Sequence, residues 1–545
     1  MNNIGLLAAG VQLSPSGQTW LIVALVGYLL ALLGVSIYAS FNVKDEQDFL
    51  VAGRALPLHL SWGALMATWF GASAIIGATK NSWQSGLSGV ILDPFACSAT
   101  LMFTGLFFAR PLWRLQLFTV ADFYRRKYGP TAEFVACAIQ VPTFFCWIAS
   151  QYVALAAVAQ AYFGIGQTES IILSAILVTI YTLIGGMWSV TLTDAIQIVI
   201  AIIGLVALGS AVMLHLGNGS LTDGVTIVID KTIPARLTFF PEWTSFAVLT
   251  SIGTFLTGLL GNVPGQDLQQ RIFASKSQSV AAWSCILSSI LYLVFGLIPV
   301  YLGLAANVMG IQQADIDEHG NTLLPILAAR FLNEGMVVVF VLAIISIIVS
   351  VATSATISQA TILASNVLGK LPLFKGYHLL LDRVCVIAVT VGSVLVAFSG
   401  ESIMALLDIQ LSLAMCTLFV PLLMGVVGTP RGQISGYLPM IVGGLVWVAR
   451  FAFERWGVPI PDEFAGNQTY PQYVADIVGR GMVPHLRPLA WIYAEIPADI
   501  QGLIASFAAY GVGQWIRRHH LPQPDSGPPP ADIPHQDTPA TTAQA

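Results

Sequence analysis

Thirteen apolar stretches, each close to or above the length of about twenty residues that crosses a bilayer as a helix, leave this 545-residue chain few ways to fold. They run at 19–41, 58–79, 86–109, 133–163, 169–187, 191–215, 245–265, 279–307, 333–365, 383–399, 402–425, 434–453 and 497–516. Lipid offers no hydrogen bonds, so such stretches must satisfy their backbone internally, which an α-helix does. Only 9% of residues are charged, against about 25% in soluble domains. The chain is therefore expected to be an all-α polytopic membrane protein with about thirteen transmembrane helices.

Several function classes fall away. No basic stripe marks a nucleic-acid binder. The six cysteines lie in or beside apolar runs without C-x-x-C spacing, and the eight histidines form no H-x-x-x-H pair, so neither a metal centre nor a disulfide framework is indicated. No Walker loop or G-x-G-x-x-G points to nucleotide-driven chemistry. A transporter rather than an enzyme is expected, with no cofactor and no obligate protein partner. The N-terminus lacks a basic region and a small-residue cleavage site before its apolar run, which reads as a retained span.

Loop charge sets an orientation. With the N-terminus outside, fifteen of the 23 Lys and Arg residues fall on inner loops and eight on outer ones. That bias predicts N-out, C-in, in the plasma (inner) membrane. The segment around Asp315, Asp317, Glu318 and His319 reads as an acidic outer loop, and 454–486 as a polar one. Asn218 and Asn467 match the short glycosylation pattern on such loops. The tail 521–545, rich in Pro, Thr, Gln and Asp, is expected to be disordered.

One stretch is soft where a spanning helix should be most regular. Gly63 to Gly77 carries three glycines and several small residues at mid-depth. Each glycine weakens a helix by about 1 kcal/mol against alanine. Freed carbonyls are tolerated in a membrane only inside protein or along a cavity, so a cation site built from main-chain oxygens is one reading. Close approach of a neighbouring helix is the other. A second interruption occurs at Thr257–Asp267, where Gly261, Pro264 and Gly265 break a span. If spans two to six and seven to eleven form two repeats, both breaks fall in the first helix of a repeat. Five spans per repeat makes the halves inverted, and paired breaks at corresponding positions point to a secondary transporter's binding site. The expected organisation is 1–57 (extra helix and loop), 58–215 (first repeat), 216–244 (outer loop), 245–425 (second repeat), 426–520 (C-terminal helices) and 521–545 (tail).

From about Asp48 to Arg450 the chain resembles the sodium:solute symporter family, which includes sodium/glucose, proline, sialic acid and choline transporters. The markers are Phe49–Pro57, Gly185–Gln197 with Thr193 and Asp194, Gln270–Arg271–Ile–Phe–Ala–Ser, and the serine-rich span leading to Ser358–Gln–Ala–Thr–Ile–Leu. Ala67–Thr68–Trp69–Phe70–Gly71 and Gly261–Asn262–Val263–Pro264 look most like the choline-transporter branch. The resemblance implies a LeuT-type 5+5 inverted-repeat fold with extra N-terminal and C-terminal helices. It implies a sodium ion as coupling ion, held at Ala67, Phe70, Ile347 and Ser350. Oxygen ligands suit a hard cation. Ser350, Thr353 and Ser354 share a helix face, where hydroxyls can equally bond their own backbone. The family commonly has a second hydroxyl after Ser350; this chain has Val351. Asp194 matches an acidic residue that in part of the family belongs to a second sodium site. Alone in an apolar helix, it needs a cationic partner or a solvated niche.

The same architecture implies a solute pocket facing Trp69, Ser73, Asp93, Cys97, Trp147, Gln151, Asn262, Gln266 and Asp267. A quaternary ammonium is held by an aromatic cage through cation–π attraction. Trp69 keeps one wall, but Gly265 stands where the choline branch has tryptophan and Cys97 where it has tyrosine, so a full choline cage is not supported. Asp93 and Asp267 suggest an amine-bearing or cationic solute. The alternatives are a cap beside Pro94 for Asp93, and an ion pair with Arg271 for Asp267. The expected function is sodium-coupled symport of a small organic solute. Proton coupling, motivated by Val351 and the membrane carboxylates, and a non-transporting solute sensor are the alternatives.

Overall fold

The computed structural model describes residues 14–41, 51–184, 187–240, 242–317, 320–371, 378–429, 432–453, 471, 474–475 and 493–520. Among them ten helical stretches are long and apolar enough to cross a membrane. The three other expected spans are helices that miss this mark for separate reasons. The stretch 58–79 is divided, its first part being the 12-residue Leu58–Trp69. Gln167–Ile184 has 18 residues and is apolar over a shorter length. Ala498–His520 has 23 residues, but Asp499, Gln501 and Gln514 dilute its apolar character. Most of the polar segment 454–486, the residues Glu318 and His319, Asn467 and the tail lie outside the described residues.

Nine helices matter for the site. They are α1 (Pro15–Ser40), α2 (Leu58–Trp69), α3 (Pro130–Phe163), α4 (Met187–Leu216), α5 (Ser245–Gly261), α6 (Gln266–Ala274), α7 (Gln278–Val308), α8 (Glu334–Thr361) and α9 (Ile403–Ala414). Their ends follow local chemistry. α3 begins with Pro130 at its first position and stops at Gly164, whose φ of 66° lets its N–H close on Gln160 at 3.1 Å. Ser277 accepts from Val280 N–H to start α7, and Asn333 from Met336 N–H to start α8.

α8 is the centre of the molecule. Every residue from Ala343 to Thr361 is buried, so the helix is covered all round. α2, α3 and α4 lie against it. In lipid the gain comes from van der Waals packing rather than from escape from water, so small residues at contacts decide how close the helices come. α1 is the outermost of the nine, with Trp20, Val23, Val26 and Leu30 exposed to the apolar surroundings.

Both expected interruptions are present. α2 ends at Trp69, Phe70 leaves the helix at φ −77°, ψ 70°, and the chain resumes through a wide turn at Ser73–Gly77 into Ala78–Ser85. α5 ends at Gly261, and Asn262–Gly265 lead into α6 with Gly265 extended. The start of α2 and the end of α6 are hooked together: Leu56 N–H donates to Ala274 C=O at 3.2 Å, and Lys276 N–H to Leu56 C=O at 2.9 Å. A third irregular segment, Ile91–Ala96, kinks at Asp93, whose backbone is extended before Pro94. It fits because glycines flank it. A Cβ on Gly258 of α5 would lie 3.0 Å from Leu92 C=O, and one on Gly296 of α7 would lie 2.6 Å from Pro94 Cβ.

Candidate functional site

A broken helix leaves backbone groups to be satisfied, and the first break shows where they go. Gly71 N–H turns back to Trp69 C=O at 2.8 Å, so the Ala67 carbonyl loses its helical donor. Ala72 N–H is taken by Gln151 Oε1 of α3 at 3.1 Å. At the second break, Gln140 Nε2 of the same helix donates to Pro264 C=O at 3.0 Å, and Gln269 Nε2 to Val263 C=O at 2.6 Å. Gln140, Phe144, Trp147 and Gln151 recur at i, i+4, i+7 and i+11, which is one face of a helix. α3 thus holds both breaks with its two amides and presents two rings between them.

Those rings face a narrow cavity lined by Trp69, Ser73, Asp93, Cys97, Phe144, Trp147, Asn262, Asp267, Tyr292, Leu407 and Gln410. Most of the space is crevice narrower than a water molecule. The cavity collects seven of the nine residues expected for the solute. The other two serve the backbone. Gln151 holds Ala72, and Gln266 accepts from Val120 N–H at 2.7 Å while donating to Phe118 C=O at 3.3 Å.

Asp93 is 1% exposed. It accepts Ser73 Oγ–H at 2.6 Å and Tyr292 O–H at 2.8 Å, and makes no cap bond within its own helical segment. Phe70 stands edge-on to Tyr292 with ring centroids 5.4 Å apart. Asn262 Nδ2 donates to Cys97 Sγ at 3.5 Å. Asp267 sits in the first turn of α6, where its Oδ1 accepts Leu268 N–H at 2.9 Å in the favourable field of a helix N-terminus. The Trp69 indole N–H comes near Asp267 without reaching hydrogen-bond geometry. Sequence reading missed Phe144, Tyr292, Leu407 and Gln410. Phe144 had a signal, being three residues before Trp147 on the same face; Tyr292 and Gln410 were legible only as polar groups in apolar helices.

Arg271 does not pair with Asp267 within 4.0 Å. Its guanidinium reaches Asp194 Oδ2 on α4 at 3.3 Å, Ser354 Oγ at 2.8 Å and Met187 Sδ at 2.9 Å. Arg271 is 2% exposed, so it belongs to the core and not to the inner loop on which charge counting placed it. Ser350 Oγ–H donates to Asp194 Oδ1. The expected sodium ligand and the expected second-ion residue therefore meet in one buried cluster. Beside it lies a second narrow cavity lined by Ser36, Tyr181, Val190, Thr193, Asp194, Gln197, Val349, Ser350 and Thr353. Thr353 Oγ1 is buried there with no hydrogen-bond partner among the described residues. Ala67, Phe70 and Ile347 are fully buried. Val351 turns toward the first break, where a Cβ on Gly71 would lie 2.9 Å from its Cγ2. α8 thus touches the break with an isopropyl group at the position of the missing hydroxyl.

Two interrupted helices, a cavity between them and a polar cluster on the central helix form the arrangement whose sequence model spans residues 49–428, the model of the sodium:solute symporter family. The chain belongs to the sodium:solute symporter family. Among curated members, the human high affinity choline transporter 1 is 27% identical over 364 residues, covering 64% of this chain and 61% of that protein. The match thus spans about three fifths of the relative's length. The sodium/glucose cotransporter of Vibrio parahaemolyticus is 23% identical over 365 residues, covering 62% of this chain and 67% of that one. A solved Na+-coupled sialic acid symporter, in a substrate-bound outward-open state, superimposes with a TM-score of 0.70 at 17% identity, covering 92% of this chain and 98% of that one. This likeness establishes the LeuT-type fold of a symporter-family integral membrane protein.

Proposed function

We propose that this chain is a secondary active symporter that couples sodium entry to uptake of a small amine-bearing or cationic solute by alternating access. The observation that carries the reading is the first break. It frees the Ala67 carbonyl in a helix packed on α8, while Trp69 and Ser73, before and after the break, line the solute cavity. Ion and solute then share one irregular segment, so occupancy of one shapes the other. The sodium would lie among Ala67, Phe70, Ile347 and Ser350. Asp194 already has Arg271 as its cation, which favours one coupling ion over two. The halves that move would be 58–215 and 245–425, each opening on its broken helix, with the N-terminus outside and the C-terminus inside the plasma membrane.

The driving force suffices. One sodium crossing 100 mV releases about 2.3 kcal/mol, and a tenfold gradient adds about 1.4 kcal/mol. Together, about 3.7 kcal/mol supports a solute gradient of several hundredfold.

The test is uptake into proteoliposomes. Solute should accumulate under an inward sodium gradient and not under potassium, and Ser350→Ala should abolish sodium-induced thermal stabilisation. Val351 against Gly71 favours a second reading, proton coupling, because it takes one oxygen from the expected ion shell. Accumulation under an inward proton gradient that ignores sodium removal selects that reading.

A further inference from the structure

The cavity carries more negative charge than a singly charged solute needs. Asp93 comes from the kinked segment Ile91–Ala96 and Asp267 from the first turn of α6. Among the described residues neither has a lysine or arginine nitrogen within 4.0 Å. The buried cation one turn along α6, Arg271, spends its terminal nitrogens on Asp194, Ser354 and Met187. Two carboxylates at 1% and 5% exposure thus face one cavity with no cation in ion-pair contact, Arg271 acting on Asp267 only through space. Buried charge of this kind is costly without a paired cation. A second observation points to a ligand. Gln410, 2% exposed, lines the same cavity, and its side chain makes no hydrogen bond among the described residues.

The lining narrows the chemistry. It offers two carboxylates and the aromatic bodies of Trp69 and Trp147, and its donors, the Trp69 indole and the Asn262 and Gln410 amides, are neutral. A zwitterion would find no cation for its carboxylate. A quaternary ammonium has no N–H to give two carboxylates, and the aromatic cage lacks walls at Cys97 and Gly265. We propose that the cargo is a small organic dication, a slender diamine whose two ammonium heads meet Asp93 and Asp267 and whose methylene chain lies against the tryptophans. This rests on the reading that the cavity holds the transported solute. Each head replaces water with charge-assisted hydrogen bonds, which are the strong ones, and the two anions select for two cations.

The full chain in proteoliposomes tests this, with 1,4-diaminobutane, butylamine, choline, glucose and a zwitterionic amino acid as probes. The diamine should be taken up with a half-saturation about tenfold or more below that of butylamine. Asp93→Asn and Asp267→Asn should each erase that preference, while sodium-induced thermal stabilisation reports that the fold and ion site persist. Equal half-saturation for butylamine or choline, or preference retained in both variants, overturns the proposal. Sodium-driven uptake of another probe without the diamine overturns the diamine and leaves symport standing. If no probe is driven by sodium, symport fails, and calorimetric binding of the diamine decides the proposal on its own.

Discussion

At the scale of single residues, the pairing of a buried carboxylate sets what it can do, and the cluster at Arg271 is the clearest case. Arg271 with Asp194 is a buried ion pair flanked by serine hydroxyls. Removing one partner leaves a bare charge, at a cost of about 3–5 kcal/mol, whereas removing both costs far less. Arg271→Gln should therefore lower the thermal midpoint strongly and Asp194→Asn/Arg271→Gln should regain most of it; a double variant as unstable as the single would show that the guanidinium acts through other contacts. Val351 is the second informative residue. Replacing its isopropyl by a hydroxyl at the Gly71 contact should add one oxygen to the ion shell. At about 0.5–1.5 kcal/mol per hydrogen-bonding group, Val351→Ser should lower the sodium half-saturation in a thermal-shift titration by about three- to tenfold. An unchanged value would place sodium away from this contact.

At the scale of elements, α3 acts as a strut. Its amides Gln140 and Gln151 lie eleven residues apart, about 16 Å along the axis, and each satisfies a backbone group freed by a different break. An orphaned buried backbone group costs about 1–3 kcal/mol. Gln151→Ala and Gln140→Ala should each lower stability by that amount in chemical unfolding, with solute half-saturation rising because Phe144 and Trp147 share the stripe. No change in either measurement would mean that water serves the breaks equally well. The kinked segment at Asp93 depends on bare glycine surfaces in the same way. Gly296→Ala would press a methyl onto Pro94, and overpacking of this sort costs about 1–3 kcal/mol. It should shift Asp93 and weaken solute binding measured by calorimetry, whereas Gly27→Ala on α1, with open space around it, should leave binding unchanged.

At the scale of the whole molecule, the cavity has room for about one water in this conformation, so an organic solute can be seated there only if the walls move. Cys97 reports on that movement, since it is 3% exposed and lies in the lining. In a variant keeping Cys97 and replacing the other five cysteines by alanine, a membrane-impermeant thiol reagent should react faster in sodium than in potassium, and solute should protect. Equal rates in both ions would show that sodium does not open the outer route. The same scale corrects the charge count: with Arg271 in the core and Arg450 buried against the carbonyls of Tyr493 and Ala494, the inner and outer totals become fourteen and seven, and the bias stays.

The spans, the two breaks and the family were legible in the sequence because each is a local signal: apolar length, glycine and proline in mid-span, and short motifs. Trp69, Ser73 and Asn262 could be expected in the cavity because they adjoin those breaks. Partner choice was not local. Gln151 and Gln266 read as solute groups, yet an amide bonds whatever donor or acceptor the fold brings near, and here that was freed backbone. Arg271 stands four residues from Asp267 and pairs with Asp194, 77 positions away. Tyr292 and Gln410 entered the site from helical stretches that run unbroken through those positions. Sequence fixes where a helix must yield; only the packing of distant helices decides which polar group answers it, because hydrogen bonds and ion pairs depend on ångström-scale proximity that chain order does not encode.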